Sequence, residues 1–243
     1  MTQDRKTTSA QQQMQPPAKA LLEPAPRSNG DSQLFDGDET MFKQHVSGLK
    51  IYGEYGVGRS TEWLFRTTDA QIYSIDSDAR WVKSVQQNCQ YSDRLHLQYC
   101  DVGPVGDWGW PLDDAGRDNY ARYTNAWWRD GIKPDLVLID GRFRVCCFLT
   151  SLKYAKTGTK IIFDDYFNRP EYHLVEEFLK PTEACGRQAL FVKTNGADQT
   201  GAELDRVIDH FQFVKEWPCT ARCRSAADLA SGIYLKDCVT DPA

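Results

Sequence analysis

The feature that most constrains this 243-residue chain is a regular alternation of short apolar runs with segments of helical spacing. Each run is rich in Ile, Leu, Val, Tyr or Phe and is bounded by turn residues, which is typical of strands. The runs are Leu49 to Tyr52, Gln71 to Ile75, Leu95 to Tyr99, Asp135 to Ile139 and Lys160 to Phe163. The helical segments are Thr61 to Phe65 and onward, Ala79 to Asn88, Tyr120 to Trp128, Phe143 to Tyr154 and Tyr172 to Leu179. Such an alternation predicts an α/β fold, a parallel sheet covered by helices on both faces.

The two ends of the chain differ from this pattern. Residues 1–35 are rich in Gln, Pro, Ala, Ser and Thr and have no apolar periodicity, which predicts a disordered N-terminal tail. Residues 36–243 are predicted to form one domain. Beyond Leu179 the pattern predicts a strand over Arg187 to Lys193, a helix over Ala202 to Phe211 and a last strand over Gly232 to Lys236, in an order that pattern alone does not give.

Composition and charge limit the classes of substrate and partner that we expect. The formal net charge is -5, and no block of Lys and Arg stands out, so a small-molecule substrate is favoured over nucleic acid. No apolar stretch approaches the roughly 20 residues that span a bilayer, and the N-terminus lacks a secretory signal, so we expect a cytoplasmic protein without a membrane partner. A homodimer is left open.

The eight cysteines are expected to be reduced thiols, because a chain of this length needs no disulfide framework. Cys146 and Cys147 are adjacent within an apolar segment. Cys219, Cys223 and Cys238 lack a further Cys or His pair that would complete a zinc site.

Carboxylates follow each of the first five predicted strands. In order they are Glu54, Asp76, Asp101, Asp140 and the pair Asp164-Asp165. Ligands of an open parallel sheet bind outside the carboxyl ends of its strands, so these side chains should lie along one edge. Asp is also a common helix cap, which explains any single position equally well. Together, however, clustered carboxylates favour a ligand that carries positive charge or hydroxyl donors.

A glycine loop lies between the first strand and a helix predicted to start near Ser60 or Thr61. Gly56 and Gly58 allow the backbone to approach a ligand closely. A dinucleotide-binding loop would have a glycine at position 61, where this chain has Thr61. A phosphate loop of the NTPase type remains an alternative: Gly53, Gly58, Arg59 and Ser60 fit its spacing, with Arg in place of Lys.

Glu54 favours a third kind of ligand. A carboxylate inside a loop that wraps triphosphate places like charges close together, whereas S-adenosylmethionine brings an ammonium and a sulfonium. Glu54 is predicted to hold that cationic methionine end. Asp76 is placed to accept both ribose hydroxyls, and Asp101 to accept from the adenine amino group.

Four stretches carry a family resemblance. KIYGEYGVGRST (50–61), IYSIDSDARWV (72–82), PDLVLIDGRFR (134–144) and KIIFDDY (160–166) resemble successive motifs of the class I S-adenosylmethionine-dependent methyltransferases. The resemblance implies a Rossmann-like, doubly wound, seven-stranded, mostly parallel sheet whose last strand is antiparallel. It also implies methyl transfer by direct displacement at sulfur. The cofactor-binding residues expected from loop and resemblance together are Glu54, Gly56, Gly58, Ser60, Thr61, Asp76, Asp101 and Asp140.

The fourth and fifth strands resemble one branch of that family. Asp140, Asp164 and Asp165 are similar in position to the metal-binding residues of the catechol and caffeoyl-CoA type O-methyltransferases, which have Asp-Asn where this chain has Asp164-Asp165. The resemblance implies a hydroxyl acceptor and a Mg²⁺ ion that lowers the pKa of that hydroxyl. Asp164 could equally support a loop. Those enzymes place a lysine where this chain has Phe143, which leaves the general base unassigned.

Other side chains near this edge are candidates for catalysis. Arg142 and Arg144 could grip an anionic substrate group, and His173 could take a proton at neutral pH, although solvated arginines and structural histidines are common. The expected catalytic residues are therefore Asp140, Arg144 and His173. Six aromatic residues between the third and fourth strands could form a lid or pack the core: Trp108, Trp110, Tyr120, Tyr123, Trp127 and Trp128. A binding module with this fold but no catalysis is a further alternative.

Overall fold

The computed structural model describes residues 33–195 and 201–215. Their centre is a seven-stranded sheet in the order β3-β2-β1-β4-β5-β7-β6. The strands are β1 Ile51–Tyr55, β2 Gln71–Asp76, β3 Leu95–Tyr99, β4 Leu136–Ile139, β5 Lys160–Phe163, β6 Glu183–Cys185 and β7 Gln188–Val192. Strands β1 to β5 are parallel, and β7 runs antiparallel to both β5 and β6. The predicted α/β class and the mostly parallel, doubly wound, seven-stranded sheet are confirmed.

Helices cover both faces of the sheet. The α-helices are α1 Thr40–His45, α2 Arg59–Thr67, α3 Ala79–Cys89, α4 Tyr120–Asn125, α5 Arg144–Tyr154 and α6 Gly201–Phe211. Alternate residues of β4 point to opposite faces, because side chains along a strand alternate. Leu136 and Leu138 join the core under α1, α2 and α3, whereas Val137 and Ile139 join the core under α4, α5 and α6.

Two predicted helices are short or irregular. The predicted segment Tyr120 to Trp128 is α4 followed by a 3-10 helix over Ala126–Asp130, and Tyr172 to Leu179 falls largely in a 3-10 helix over Pro170–Glu177. Pro170 occupies the first turn of the latter, where its missing N–H costs no helical bond. β6 was not predicted, because three residues at a sheet edge give no periodic signal.

The boundaries around the glycine loop differ from prediction. β1 continues through Tyr55, so Glu54 lies inside the strand and not after it. α2 begins at Arg59 with Gly58 as its N-cap, so Ser60 and Thr61 belong to the first turn. The Ser60 and Thr61 hydroxyl groups donate to the Glu54 carboxylate, which allows this polar group to lie buried inside the strand.

The start of the domain also differs slightly from prediction. Phe35, assigned to the tail, is buried and packs edge-on against Phe42 with ring centroids 5.1 Å apart. Residues 1–32 lie outside the described residues, as do the predicted strand Gly232 to Lys236 and the cysteines at 219, 223 and 238. The cysteines within the described ranges are all free thiols. Among the helices that the structure describes, none has the length and apolar character needed to cross a membrane.

Candidate functional site

The glycine loop after β1 touches the loop after β4. Gly56 has φ +102°, and a Cβ there would lie 3.0 Å from the amide nitrogen of Gly141. A side chain at position 56 is therefore excluded both by backbone conformation and by space. Gly58 is different, because a Cβ at that position would meet nothing within 4 Å. The loop is thus closed on its Gly56 side and open beside Gly58.

Three consecutive amides of this loop already donate within the protein. Gly56 N donates to Ile75 O (2.9 Å), Val57 N to Asp76 Oδ2 (2.7 Å) and Gly58 N to Thr61 Oγ1 (3.0 Å). A phosphate-cradling loop needs such amides for its ligand. The geometry therefore does not fit the NTPase alternative.

Asp76 ends β2 and orients the loop. Its Oδ2 accepts from Val57 N, and its Oδ1 accepts from Asp78 N at 2.7 Å. Burial raises the pKa of Asp76 to about 6, against the lowering effect of these two amides. The charge of Arg142 also lowers the pKa of Asp76.

Glu54 is fully buried and satisfied by hydroxyl groups. It accepts hydrogen bonds from Ser60 Oγ, from Thr61 Oγ1 and, at 3.0 Å, from Ser74 Oγ. Burial raises the pKa of Glu54 to about 7, although the hydroxyl donors lower it. The carboxylate therefore joins β1, β2 and the first turn of α2, and it does not face the open side of the loop.

The loop after β3 folds over the end of β2. Asp101 is exposed, and its Oδ1 accepts from Gly103 N at 3.0 Å. Further along, Ser77 Oγ donates to Gly109 O at 2.7 Å, which holds this loop against the residues after Asp76. Trp108 lies at the surface with 73% of its area exposed and stacks on Trp81, with centroids 6.2 Å apart.

The predicted aromatic lid is largely core. Trp108 is the exposed large aromatic residue of that group, whereas its other members between β3 and β4 are mostly buried: Tyr120, Tyr123, Trp127 and Trp128. Tyr123 also contacts the loop after β4, because its hydroxyl oxygen accepts a hydrogen bond from Arg142 N at 3.0 Å. The buried rings belong to the core under α4, α5 and α6, so of the two interpretations, lid or core, the core applies to them.

The carboxylates after β4 and β5 come together as predicted. Ligand atoms of Asp140, Asp164 and Asp165, here called the aspartate cluster, all lie within 4.8 Å of one another. Burial, with the neighbouring Asp164 charge, raises the pKa of Asp140 well above its ordinary value, while Arg144 opposes the rise. Such a spacing would suit a metal ion by distance alone.

Guanidinium groups, however, already hold these carboxylates. Arg144 Nη2 lies 3.0 Å from Asp140 Oδ1, and Arg187 Nη2 lies 2.7 Å from Asp164 Oδ2. Asp165 contacts Arg144, Arg187 and also Arg169, the last at 3.0 Å. The donor set presented by the structure is therefore matched to cations of the chain itself and does not fit a bound Mg²⁺ ion. Arg169 and Arg187 were not among the sequence candidates.

Arg144 has a different role from the predicted grip on substrate. It is buried, and its N–H groups donate to the backbone oxygens of Gly141, Asp164 and Asp140 as well as to two carboxylates. A guanidinium has five N–H donors, and these contacts use all five. Arg144 therefore joins the ends of β4 and β5 and has no donor left for a substrate.

His173 is half-buried beside the residues after β5. Its Nε2 lies 3.1 Å from the carbonyl oxygen of Tyr166, and its ring packs against the Tyr166 ring at an interplanar angle of 31°, with centroids 4.6 Å apart. Phe167 contacts it edge-on. With Nε2 bound to a carbonyl oxygen, proton uptake would fall to Nδ1, so the predicted role in catalysis remains a prediction.

Comparisons with known proteins agree with this architecture. No protein-family model and no curated protein matches the chain. A solved structure, a methyltransferase-like protein from Silicibacter pomeroyi, is 32% identical over 69% of this chain and 91% of that one, with a TM-score of 0.61.

Two other solved structures are more remotely similar. An O-methyltransferase from Bacillus cereus in complex with SAH is 16% identical over 64% of this chain and 78% of its own, with a TM-score of 0.41. An RNA methyltransferase from Salinibacter ruber, also with S-adenosyl-L-homocysteine, is 14% identical over 62% and 85%, with a TM-score of 0.37. The 32% identity to the Silicibacter protein, across nearly all of that protein's length, shows that this chain belongs to the class I S-adenosylmethionine-dependent methyltransferases.

Proposed function

We propose that this protein binds S-adenosylmethionine beside the glycine loop and transfers its methyl group to a hydroxyl of a small molecule. One observation carries the cofactor part: Asp76, at the end of β2, lies beside the glycine loop with the open Gly58, because Val57 N of that loop donates to its carboxylate. Backbone that a ligand can approach and a carboxylate that accepts from hydroxyls are what a nucleoside needs.

Asp76 retains capacity for a ligand. Each carboxylate oxygen has two lone-pair sites, and the amides of Val57 and Asp78 occupy one on each oxygen. The remaining sites suit the two ribose hydroxyls. In this arrangement Gly56 and Gly58 provide close approach, and Asp101 lies on the adjacent loop, where it would accept from the adenine amino group.

Glu54 acts behind this surface. Its bonds to Ser60 and Thr61 fix the first turn of α2, so the three residues shape the cofactor loop from within. Above pH 7 the Asp76 carboxylate is largely ionised, and its negative charge would attract the ammonium and sulfonium of the cofactor.

Asp140 is the proposed contact to the acceptor. Its side chain is 30% exposed, against 11% for Asp165 and 0% for Asp164. It also adjoins the glycine loop, since Asp140 N donates to Tyr55 O at 2.9 Å. Bound S-adenosylmethionine would supply the methyl group to the acceptor oxygen and leave as S-adenosylhomocysteine. The partly exposed Asp140 carboxylate is the group proposed to accept the hydroxyl proton.

The small-molecule part rests on charge. A net charge of -5 disfavours binding to the phosphate backbone of a nucleic acid, whereas a compact, hydroxyl-bearing molecule meets no such barrier. Mg²⁺ assistance is not part of the proposal, because guanidinium groups hold the carboxylates that such an ion would use.

A thermal-shift assay distinguishes S-adenosylhomocysteine from ATP as the ligand of this site. S-adenosylhomocysteine should raise the melting temperature, whereas ATP with Mg²⁺ should not. Asp76→Asn should weaken binding of S-adenosylhomocysteine about 10- to 100-fold, the range expected for lost hydrogen bonds to a charged group. Asp93→Asn, the same change at an exposed turn before β3, is the matched control and should bind as wild type. Equal affinity of Asp76→Asn and wild type would remove the proposed site.

Affinity should also depend on pH. Because the pKa of Asp76 is raised to about 6, its carboxylate is largely protonated at pH 5 and loses acceptor capacity. Titration calorimetry with S-adenosylhomocysteine should give a dissociation constant about tenfold higher at pH 5 than at pH 7.5. Asp76→Asn should lose most of that dependence.

A non-catalytic binding module makes a different prediction. It would bind S-adenosylhomocysteine with the same dependence on Asp76 but would transfer no label from methyl-labelled S-adenosylmethionine. A panel of phenolic, catecholic and aliphatic alcohols, each with its O-methylated form as a blank, tests this. Label on any acceptor, reduced at least tenfold by Asp140→Asn, would support catalysis with the proposed acceptor contact.

A further inference from the structure

We infer that the aspartate cluster binds no divalent cation, because guanidinium groups of the chain occupy the positions that a metal would need. The arginine trio, Arg144, Arg169 and Arg187, supplies the positive charge instead. It follows, if the proposed function holds, that methyl transfer by this protein is independent of metal.

Asp164 is the most deeply buried carboxylate of the aspartate cluster. Arg187 Nε donates to Oδ1 at 3.1 Å, and Arg187 Nη2 forms an ion pair with Oδ2 at 2.7 Å, although Oδ2 has no hydrogen-bond partner. Gln188 Nε2 donates a second hydrogen bond to Oδ1 at 2.9 Å. Breaking the ion pair would leave an uncompensated charge in a buried site, which is costly. Since the Asp164 side chain has no exposed area, a hydrated ion would have to displace Arg187 to reach it.

Asp165 is held from three directions. Its Oδ2 lies 3.1 Å from Arg144 Nη1 and 3.0 Å from Arg169 Nη2, and its Oδ1 lies 3.2 Å from Arg187 Nη1. The residue has φ +58°, a left-handed conformation that Asp and Asn tolerate better than most residues. This backbone conformation directs the Asp165 carboxylate toward the arginine trio.

Charge explains why these contacts exclude a metal. An arginine cannot lose its proton at accessible pH, so it cannot become neutral to admit a second cation, as a lysine could. Three permanent positive charges at least match the charge of the three carboxylates. A divalent ion would add two further charges within a few ångströms of guanidinium groups, and its binding would require the trio to move.

Metal binding can be measured without an activity assay. Protein dialysed against EDTA is titrated with Mn²⁺ while the electron paramagnetic resonance signal of free Mn²⁺ is followed, and its melting temperature is recorded with 5 mM MgCl₂ or CaCl₂ against NaCl of equal ionic strength. We expect a full free-ion signal and shifts under 1 °C. Loss of signal at micromolar Mn²⁺ that Asp164→Asn restores, or a saturable rise in melting temperature, would overturn the inference.

The variant Arg187→Gln tests whether the guanidinium groups are what prevents a metal ion from binding. Removal of this guanidinium frees Asp164, so the variant should gain a saturable response to Mn²⁺ that wild type lacks. Should both proteins ignore the ions, the assignment of the arginines as the blocking groups would be wrong. Where Arg187→Gln does not fold, Arg169→Gln opens Asp165 from the surface, since that arginine is partly exposed, and the same comparison applies.

Methyl transfer gives an independent readout. With labelled S-adenosylmethionine and an accepted substrate, 5 mM EDTA should leave the rate within twofold of that in 5 mM MgCl₂. A tenfold loss in EDTA that Mg²⁺ restores would contradict metal independence. If no substrate is methylated at all, the proposed function fails, while the Mn²⁺ titration still decides the metal question.

Discussion

Glu54 illustrates how much one buried carboxylate depends on its neighbours. It lies in the second-to-last position of β1 with no exposed area and keeps three hydroxyl partners from two other elements. Hydroxyl donors favour the charged form, yet the loss of water outweighs them, and burial raises the pKa to about 7. The folded state therefore prefers Glu54 protonated more than the unfolded state does.

This preference predicts a dependence of stability on pH. A raised folded-state pKa contributes stability that is complete below pH 4.5 and is lost as the pH rises through about 7. The full contribution is about 3 kcal/mol, since each unit of pKa shift corresponds to about 1.4 kcal/mol. Glu54→Gln lacks this contribution, so the stability of wild type relative to the variant should fall between pH 5 and pH 9. Urea unfolding at both pH values measures the difference.

A suitable control is Glu203→Gln, which makes the same change on the exposed surface of α6. Its unfolding free energy should follow wild type within about 0.5 kcal/mol at both pH values, as expected for a surface substitution. Parallel stability curves for wild type and Glu54→Gln would contradict the assignment of Glu54 as a group whose ionisation opposes folding.

For single residues, the sequence predicted where a side chain lies better than what that side chain does. Asp76, Asp140 and Asp164 lie where a carboxylate at the end of a strand should lie. Arg144 was expected either to contact an anionic group of the substrate or to be solvated, as arginines at a helix start commonly are. Its actual role depends on carbonyl oxygens of two separate loops, which local sequence does not reveal.

The loops after β1 and β4 meet at two glycines. A Cβ on Gly141 would lie 2.2 Å from Tyr123 Oη and 2.8 Å from Gly56 N, distances that real side chains do not adopt. Both elements must therefore keep glycine where they touch. This contact sets the distance between the glycine loop and Asp140, which directly precedes Gly141.

Two alanine substitutions should separate packing from ligand access. Gly141→Ala should lose about 1 to 3 kcal/mol of stability, because Tyr123 and the loop must shift to make room. Gly58→Ala should cost under about 1 kcal/mol, the difference between Gly and Ala at a helix N-cap, since its Cβ enters open space.

Ligand binding should respond to Gly58→Ala even though the stability of the protein responds more strongly to Gly141→Ala. The Gly58 methyl group would enter the space assigned to the cofactor, so Gly58→Ala should weaken binding of S-adenosylhomocysteine at least tenfold in titration calorimetry. Unfolding in urea supplies the stabilities. Wild-type affinity in Gly58→Ala would mean that the ligand lies elsewhere.

The regular elements were predictable because they carry apolar periodicity. β3 and β5 have the predicted limits, and α3 and α5 differ from prediction by one residue. β1 was placed too early because Glu54 resembles a strand end. Only the fold brings Ser74, twenty residues away, to its carboxylate. The 3-10 helices share helical spacing with α-helices, so pattern could not distinguish them.

In the whole molecule, stability should decrease from the centre of the sheet outward. β4 lies in the middle of the seven strands with every residue buried, whereas β6 is a short, largely exposed edge. Amides of β4 should open only with global unfolding and those of β6 by local fraying. Hydrogen exchange followed by mass spectrometry should show protection of peptides from β4 at least 100-fold above those from β6. Comparable rates would contradict a single cooperative sheet.

The reversal of β7 changes where functional residues must be sought in chains with this topology. Parallel strands deliver to the carboxyl edge the residues that follow them, but a strand that runs the other way delivers those that precede it or open it. Arg187 and Gln188 stand directly before and at the start of β7 and reach Asp164 for that reason. A survey that inspects only the residues downstream of each strand will systematically overlook such groups, so the last hairpin should be scanned in the opposite direction.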